Sequence, residues 1–563
     1  MSAHDIFQTI FGLLGGLSVF IFGMNMMSEC LQKAAGEKMK TILGILTKNP
    51  IMGVLAGALV TAVLQSSSAT TVMVIGFVSA GLMSLPQAIS VILGANIGTT
   101  MTAQLMAFKI SDYIWMIVFI GFVMFFLSKK EKVKSIGQTI FAFGLLFVGI
   151  ETMGSVMKPL ASSPIFVVLM EKVSSIPVLG MLLGTVMTVI VQSSSATIAV
   201  LQSFASQPAA DGVSSVIGLA GAIPILLGDN VGTTITALLA SVGQSKNAKR
   251  TAVAHSVFNI TGSFVFIWII PLFTRFVQFI SPKGNEVDVI SRQIANAHFS
   301  FNLINTLIWL PLLPLMVKIV TTIIKGDETQ PEGERPRFID SRVISQPVVA
   351  LHLARQEVMA MLEDLQGLMD QAKTCFVKDN AEILKEFDRR AKGLETVNEE
   401  IMQYLSSLFA SGGLTEEQST EAAELLYVAN DMDKICDRCI NLSHISSEKI
   451  FSQYQFSEAA VEELGKSFGH VSDMLKKVSE AFTKMDEGLM LELLEDADKL
   501  KNMERKFKKN HVKRMKKNSC KPEMTGVFSA VLQDLERIGN SCTNIAEEIQ
   551  EQSGEKSREK VTA

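Results

Sequence analysis

Gln65-Ser66-Ser67-Ser68-Ala69-Thr70 recurs as Gln192-Ser193-Ser194-Ser195-Ala196-Thr197, and each copy sits inside a long apolar run. Runs of that length can cross a bilayer, where a broken backbone is tolerated only if protein or a watery cavity surrounds it. A helix that restarts at the serines presents unpaired N–H groups and the positive end of its dipole, which suits an anion. The half-helix that ends before the break presents free carbonyls. With Ser, Thr, Gln and Asn oxygens, these suit a dehydrated hard cation such as sodium. One break thus offers both kinds of site without burying a permanent charge.

The duplication is wider than the hexapeptide. Pro50, Gly53, Gly57, Thr61 and Gln65 keep the spacing of Pro177, Gly180, Gly184, Thr188 and Gln192, and Gly94-Ala95-Asn96-Ile97-Gly98-Thr99-Thr100 answers Gly228-Asp229-Asn230-Val231-Gly232-Thr233-Thr234. Matching polar interruptions in two repeats mark the substrate site of a secondary transporter. The candidate ligands are Gln65, Ser66, Ser67, Ser68, Thr70, Asn96, Thr99 and Thr100 in one repeat. Gln192, Ser193, Ser194, Ser195, Thr197, Asn230, Thr233 and Thr234 are those of the other. Asp229, an acid at membrane depth, is a further candidate, and Glu151 a weaker one. The glycines at four-residue spacing read as close-packing positions. His255 to Asn259 and His298 to Asn302 share a His-x-x-Phe-Asn pattern and read as scaffold.

The elements that must carry these residues are apolar stretches at about 6–27, 84–107, 112–128, 136–157, 214–242, 251–280 and 294–324. Two more, at 51–80 and 174–205, are broken by the serine motifs and read as re-entrant hairpins. Lys33, Lys38, Lys40 and Lys48, then Lys129, Lys130, Lys132 and Lys134, then Lys246, Lys249 and Arg250 fill three loops. The opposite loops hold Lys109, Lys158, Lys172, Lys283 and Arg292. The positive-inside rule then places the chain start outside and the C-terminal region in the cytoplasm, with the two repeats inverted.

Charge separates two regions. Residues 1–324 carry 18 Lys+Arg against 11 Asp+Glu, and 325–563 carry 33 against 44. A Gly/Pro-bearing linker at 325–340 joins them. Five of six cysteines lie beyond it without a repeated spacing, so no disulfide framework is expected, and Cys436-Asp437-Arg438-Cys439 reads as two ordinary helix thiols. A membrane enzyme with Ser67 or Ser194 as nucleophile and His255 or His298 as base is disfavoured. Neither serine lies in a GxSxG context, and duplication would supply two nucleophiles. No catalytic activity is expected.

The two QSSS motifs, the two GxNxGTT motifs and the His-x-x-Phe-Asn pattern resemble the sodium-dependent phosphate cotransporter family, in its bacterial branch, over residues 1–324. The resemblance implies inorganic phosphate as substrate, sodium as co-transported ion, and the bacterial inner membrane as location. Some members carry an acid in a His-containing segment of the first repeat, tied to an extra sodium ion. Asp112 is too weak a match for that role, so stoichiometry stays open, as does net export of phosphate or a phosphate ester.

Residues 341–550 show apolar positions at three- and four-residue spacing, as in Leu351, Val358, Met361, Leu362, Leu365 and Leu368. With Asp431 to Asp437 and Asp534 to Asn540 as a repeated acidic helix motif, they resemble a PhoU-type bundle. That resemblance makes Asp433, Asp437 and Glu536 candidates for a divalent metal, against a plain solvated acidic face. The basic stretch from Lys499 to Lys517 reads as a bundle helix with a basic face toward lipid, not as a nucleic-acid site. The expected fold is all-α: a polytopic membrane protein with inverted repeats (about 6–128 and 136–280, and an extra span at 294–324) and two re-entrant helical hairpins. A soluble PhoU-like bundle and a disordered tail at 551–563 follow. The expected partners are phosphate, sodium and the lipid bilayer. Oligomeric state is open, and the alternative from another class is a membrane-anchored phosphate sensor.

Overall fold

Pro50 and Pro177 each stand in the first turn of a helix, where a missing N–H costs nothing and the fixed φ favours the helix. They open matching hairpins. The computed structural model describes residues 3–45, 49–79, 83–108, 110, 113–161, 172–173, 175–209, 211–326, 336–344, 346–378, 381–451, 456–484, 487–517, 520 and 523–562. Asp112 and most of the linker lie outside the described residues. Two units, Met1–Glu328 and Thr329–Ala563, divide the chain, and both are helical.

In the first unit, α1 (Ala3–Ile45) precedes the hairpin of α2 (Pro50–Leu64) and α3 (Ser67–Ser79), followed by α4 (Leu85–Met106), α5 (Ile114–Leu127) and α6 (Glu131–Ala161). The second hairpin is α7 (Pro177–Val191) and α8 (Ser194–Ala205), followed by α9 (Gly218–Gly232) and α10 (Thr234–Ala240). The half-helices are too short to cross a bilayer alone, at 15 and 13 residues in the first hairpin and 15 and 12 in the second. Each hairpin packs on the helix that follows it, α2 on α4 and α7 on α9. The contact is backbone to backbone. A Cβ added at Gly94 would collide with the Val54 carbonyl, and one at Gly228 with the Met181 carbonyl.

Two stretches read as single spans are broken. Residues 251–280 divide at Ile269 into α11 (Lys246–Trp268) and α12 (Ile270–Ile280), while 294–324 divides into α13 (Glu286–Trp309) and α14 (Leu313–Ile323), bent by 86°. Proline explains both breaks: Pro271 opens α12, and Pro311 and Pro314 flank the second turn. Among the described residues five helices are long and apolar enough to cross a membrane, or six if the bent pair is one span. Trp115, Phe119, Phe126, Trp268 and Phe279 stand exposed on this unit, as side chains facing lipid would.

The second unit consists of α15 (Pro347–Lys378), α16 (Ala381–Ala410), α17 (Glu416–Phe451), α18 (Glu458–Lys484), α19 (Glu487–Lys516) and α20 (Met524–Thr562) around one apolar core. α20 runs on through 551–562, the stretch read above as a tail. Asn544 Nδ2 donates to Asp431 at 3.1 Å, and Asn441 Nδ2 donates to Asp534 at 2.5 Å. Each pair sets an acid of one helix against an amide of the other, at the same ten-residue offset. The repeated acidic motif therefore joins α17 to α20.

Candidate functional site

The breaks are made by glutamine. Gln65 has φ 53° and ψ 22°, and Gln192 φ 56° and ψ 25°. Among the described residues they are the only non-glycine positions with positive φ. That conformation costs roughly 1–2 kcal/mol for a residue with a Cβ, so the side chain must be needed. Gln65 Nε2 donates to the Ala62 carbonyl at 2.5 Å, and its Oε1 accepts from Thr102 Oγ1 at 2.7 Å. Gln192 repeats this with the Val189 carbonyl at 2.6 Å and Thr236 Oγ1 at 3.2 Å. Each glutamine caps the half-helix that ends and ties the break to a later helix of its repeat, Gln65 to α4 and Gln192 to α10.

The serines divide their work. Ser66 Oγ accepts from the Ala69 amide at 3.1 Å, and Ser193 Oγ from the Ala196 amide at 3.3 Å, so the first serine of each motif caps the second half-helix. Ser67, Ser68, Ser194 and Ser195 make no side-chain hydrogen bond within the protein among the described residues. All four line one cavity of about 280 Å³, together with Gln65, Ser66, Gln192 and Ser193. Small-molecule sites occupy roughly 300–1,000 Å³, so this space suits a small ion and its waters. Both helix N-termini, α3 and α8, open onto it.

α1 supplies the part that sequence reasoning missed. Asn25 and Ser28 also line the cavity, and Ser28 Oγ donates to the Leu64 carbonyl at 2.6 Å, capping the end of α2. Their only signal was two polar residues, three apart, at the end of an apolar span.

The remaining candidates, apart from Glu151, which is exposed, form a buried polar layer, and none of them lines the cavity. Thr61 Oγ1 donates to Thr70 Oγ1 at 2.8 Å, while the matching hydroxyls of Thr188 and Thr197 lie 3.0 Å apart. Thr99 and Thr233 donate to carbonyls four residues back, and Thr100 and Thr234 to carbonyls three back. Asn96 Oδ1 accepts from Asn259 Nδ2 at 3.3 Å and lies 3.3 Å from His255 Nε2, while Asn230 Oδ1 accepts from Asn302 Nδ2 at 3.2 Å. The two His-x-x-Phe-Asn segments thus serve one repeat each. Asp229, fully buried, accepts from Thr188 Oγ1 at 2.6 Å, where the first repeat has Ala95.

The comparisons with known proteins follow this division. The Na+/Pi-cotransporter family matches residues 19–155 and 156–304, one match for each repeat. The chain belongs to this family. The family's twin matches meet near residue 155, between the two hairpins, and a PhoU domain matches 464–549. The chain is 36% identical over 263 residues to "Uncharacterized protein YqeW" of Bacillus subtilis, 47% of this chain and 83% of that one. It is 22% identical over 549 residues to "Putative inorganic phosphate export protein YjbB" of Escherichia coli K12, 97% of this chain and 98% of that one. It is 36% identical over 97 residues to the sodium-dependent phosphate transport protein 2A of Rattus norvegicus, 17% of this chain and 15% of that one. No solved structure matches. As a member of a phosphate transporter family, the chain is a membrane protein.

The metal candidates lie in the second unit. Asp433 accepts from Asn398 Nδ2 at 3.2 Å, Asp437 is exposed, and Glu536 is half-buried on α20. Burial, and then the charges of Asp437, Glu399 and Asp433, push the Glu395 carboxyl above its usual range. Among the described residues no three His, Cys, Asp or Glu side chains are placed to hold a metal together.

Proposed function

We propose that the chain carries inorganic phosphate through the cavity between α3 and α8, coupled to sodium, by alternating access. One observation carries this reading: the free hydroxyls of Ser67, Ser68, Ser194 and Ser195 meet in one cavity at two helix N-termini. Backbone N–H groups and hydroxyls there can take over an anion's hydration. The carbonyls of α2 and α7 that end at the breaks, with the buried threonine hydroxyls, are neutral oxygen ligands for sodium. Opposite binding charges in one small space make joint occupancy favourable. Inverted orientation of the two hairpins, as the loop charges indicate, would let one break gate each side. We place the protein in a bacterial inner membrane with the PhoU-like unit in the cytoplasm, where it regulates transport.

A serine-nucleophile reading gains no support. His255 pairs with Asn96, and neither Ser67 nor Ser194 has a hydrogen-bonded base among the described residues. A second reading concerns direction: the relatives that share nearly the whole chain, including its second unit, bear an export name, which favours net efflux in the cell. Labelled phosphate uptake into proteoliposomes of purified protein tests the proposal. Uptake should follow an imposed sodium gradient and vanish when potassium replaces sodium; uptake indifferent to sodium removes the coupling.

A further inference from the structure

The two repeats match at each hydroxyl of the serine and GxNxGTT motifs, but not in charge. At the position matching Asp229 of the second repeat, the first repeat, with its Thr61–Thr70 pair, carries Ala95. Asp229 is fully buried, and among the described residues its Oδ1 accepts only from Thr188, at 2.6 Å. Its Oδ2 is buried without a partner, and no basic side chain pairs with it among the described residues. An ionised carboxylate left so would cost several kcal/mol, and buried acids in membrane segments persist where they meet an ion or a partner. The Thr188 hydroxyl has a single proton. If Asp229 receives it, Thr197 is left to donate to Thr188 or to the Ser193 carbonyl at 3.3 Å, and in either case both threonine oxygens keep a lone pair that a cation can use.

We propose that Asp229, with the hydroxyls of Thr188 and Thr197, is a monovalent cation site that the first repeat lacks. The ligand is monovalent because one carboxylate among neutral oxygens balances a single charge; a divalent ion would leave a buried positive charge uncompensated. Sodium is the ion the carrier reading supplies, and this inference rests on that reading. The site makes the repeats unequal. The second repeat carries a cation of its own, neutralised where it binds; that ion still adds one charge to each cycle, and the voltage-sensitive step becomes the return of the empty, charged site.

Equilibrium binding of radioactive sodium to purified full-length protein, with sodium-driven phosphate uptake in parallel, tests the site. Asp229→Asn keeps the shape and removes the charge: the number of sodium ions bound per chain should fall by one. Thr188→Val leaves the carboxylate but removes a ligand: the number should stay, with affinity at one site about tenfold weaker. An unchanged count in Asp229→Asn overturns the proposal. So does an unchanged count combined with loss of a pH dependence seen in wild type, because the carboxyl would then hold a proton. Should Asp229→Asn not fold, unaltered sodium affinity in Thr188→Val overturns it. Failure of the carrier reading is separately visible, because wild-type uptake would then ignore sodium while the binding counts remain measurable.

Discussion

Asn302 donates its side-chain amide to Asn230 at 3.2 Å across 72 residues of chain, as Asn259 does to Asn96 at 3.3 Å across 163. The later helices α13 and α11 are thereby keyed to α9 and α4, the helices against which the hairpins pack. Residues that never touch the cavity set the position of the breaks that do.

A double-mutant cycle measures this coupling. Asn259→Ala and Asn96→Ala should each destabilise the detergent-solubilised protein, and the double mutant should cost less than the sum, with a coupling of about 1 kcal/mol. Additive losses in thermal unfolding would mean that the pair does no joint work.

At Gln65 the backbone and the side chain can be tested apart. Gln65→Gly relieves the left-handed strain and Gln65→Ala does not, so the glycine variant should be the more stable by about 1 kcal/mol. Both should lose transport, because neither restores the bridge from the Ala62 carbonyl to Thr102. An alanine variant as stable as the glycine one would show that the strain is absent.

Much of this arrangement was legible in the chain. The serine motifs announced the breaks because three hydroxyls have no packing use in an apolar run, and the twin spacing announced two repeats. Local pattern could not show that glutamine takes the left-handed conformation, since glycine is the usual residue there. Nor could it reveal that Thr102 and Thr236 extend the second motif by two residues. The Asn302 and Asn259 pairings join segments too far apart for any periodicity to register. The bends at Ile269 and after Trp309 were different: Pro271, Pro311 and Pro314 signalled them, and apolar length alone concealed the signal.

Close backbone packing makes Gly228 intolerant. Gly228→Ala should lower stability by about 1–3 kcal/mol through displacement of the Met181 carbonyl. The unfolding midpoint in detergent gives the answer, and an unchanged midpoint would mean that α7 and α9 separate without cost.

The bundle thiols should be inert. Burial pushes Cys439 and Cys542 up to about 12 and Cys375 up to about 11, so little thiolate forms at neutral pH. Mass spectrometry after alkylation should find these cysteines modified only in denaturant. Rapid native labelling of Cys439 would contradict a closed core.

If the PhoU-like unit only regulates, removal of Thr329–Ala563 should leave a folded carrier that still moves phosphate. Loss of all transport in a truncation shown to be folded and membrane-inserted would make that unit part of the transport cycle.

The central claim is that both serine motifs face one substrate. Ser67→Cys and Ser194→Cys, made singly and labelled with a membrane-impermeant thiol reagent, test it most directly. Phosphate with sodium should slow labelling at both positions, with Ser67→Cys the more reactive from the cytoplasmic side and Ser194→Cys from the outside. Protection of neither, or of only one, would contradict a shared site.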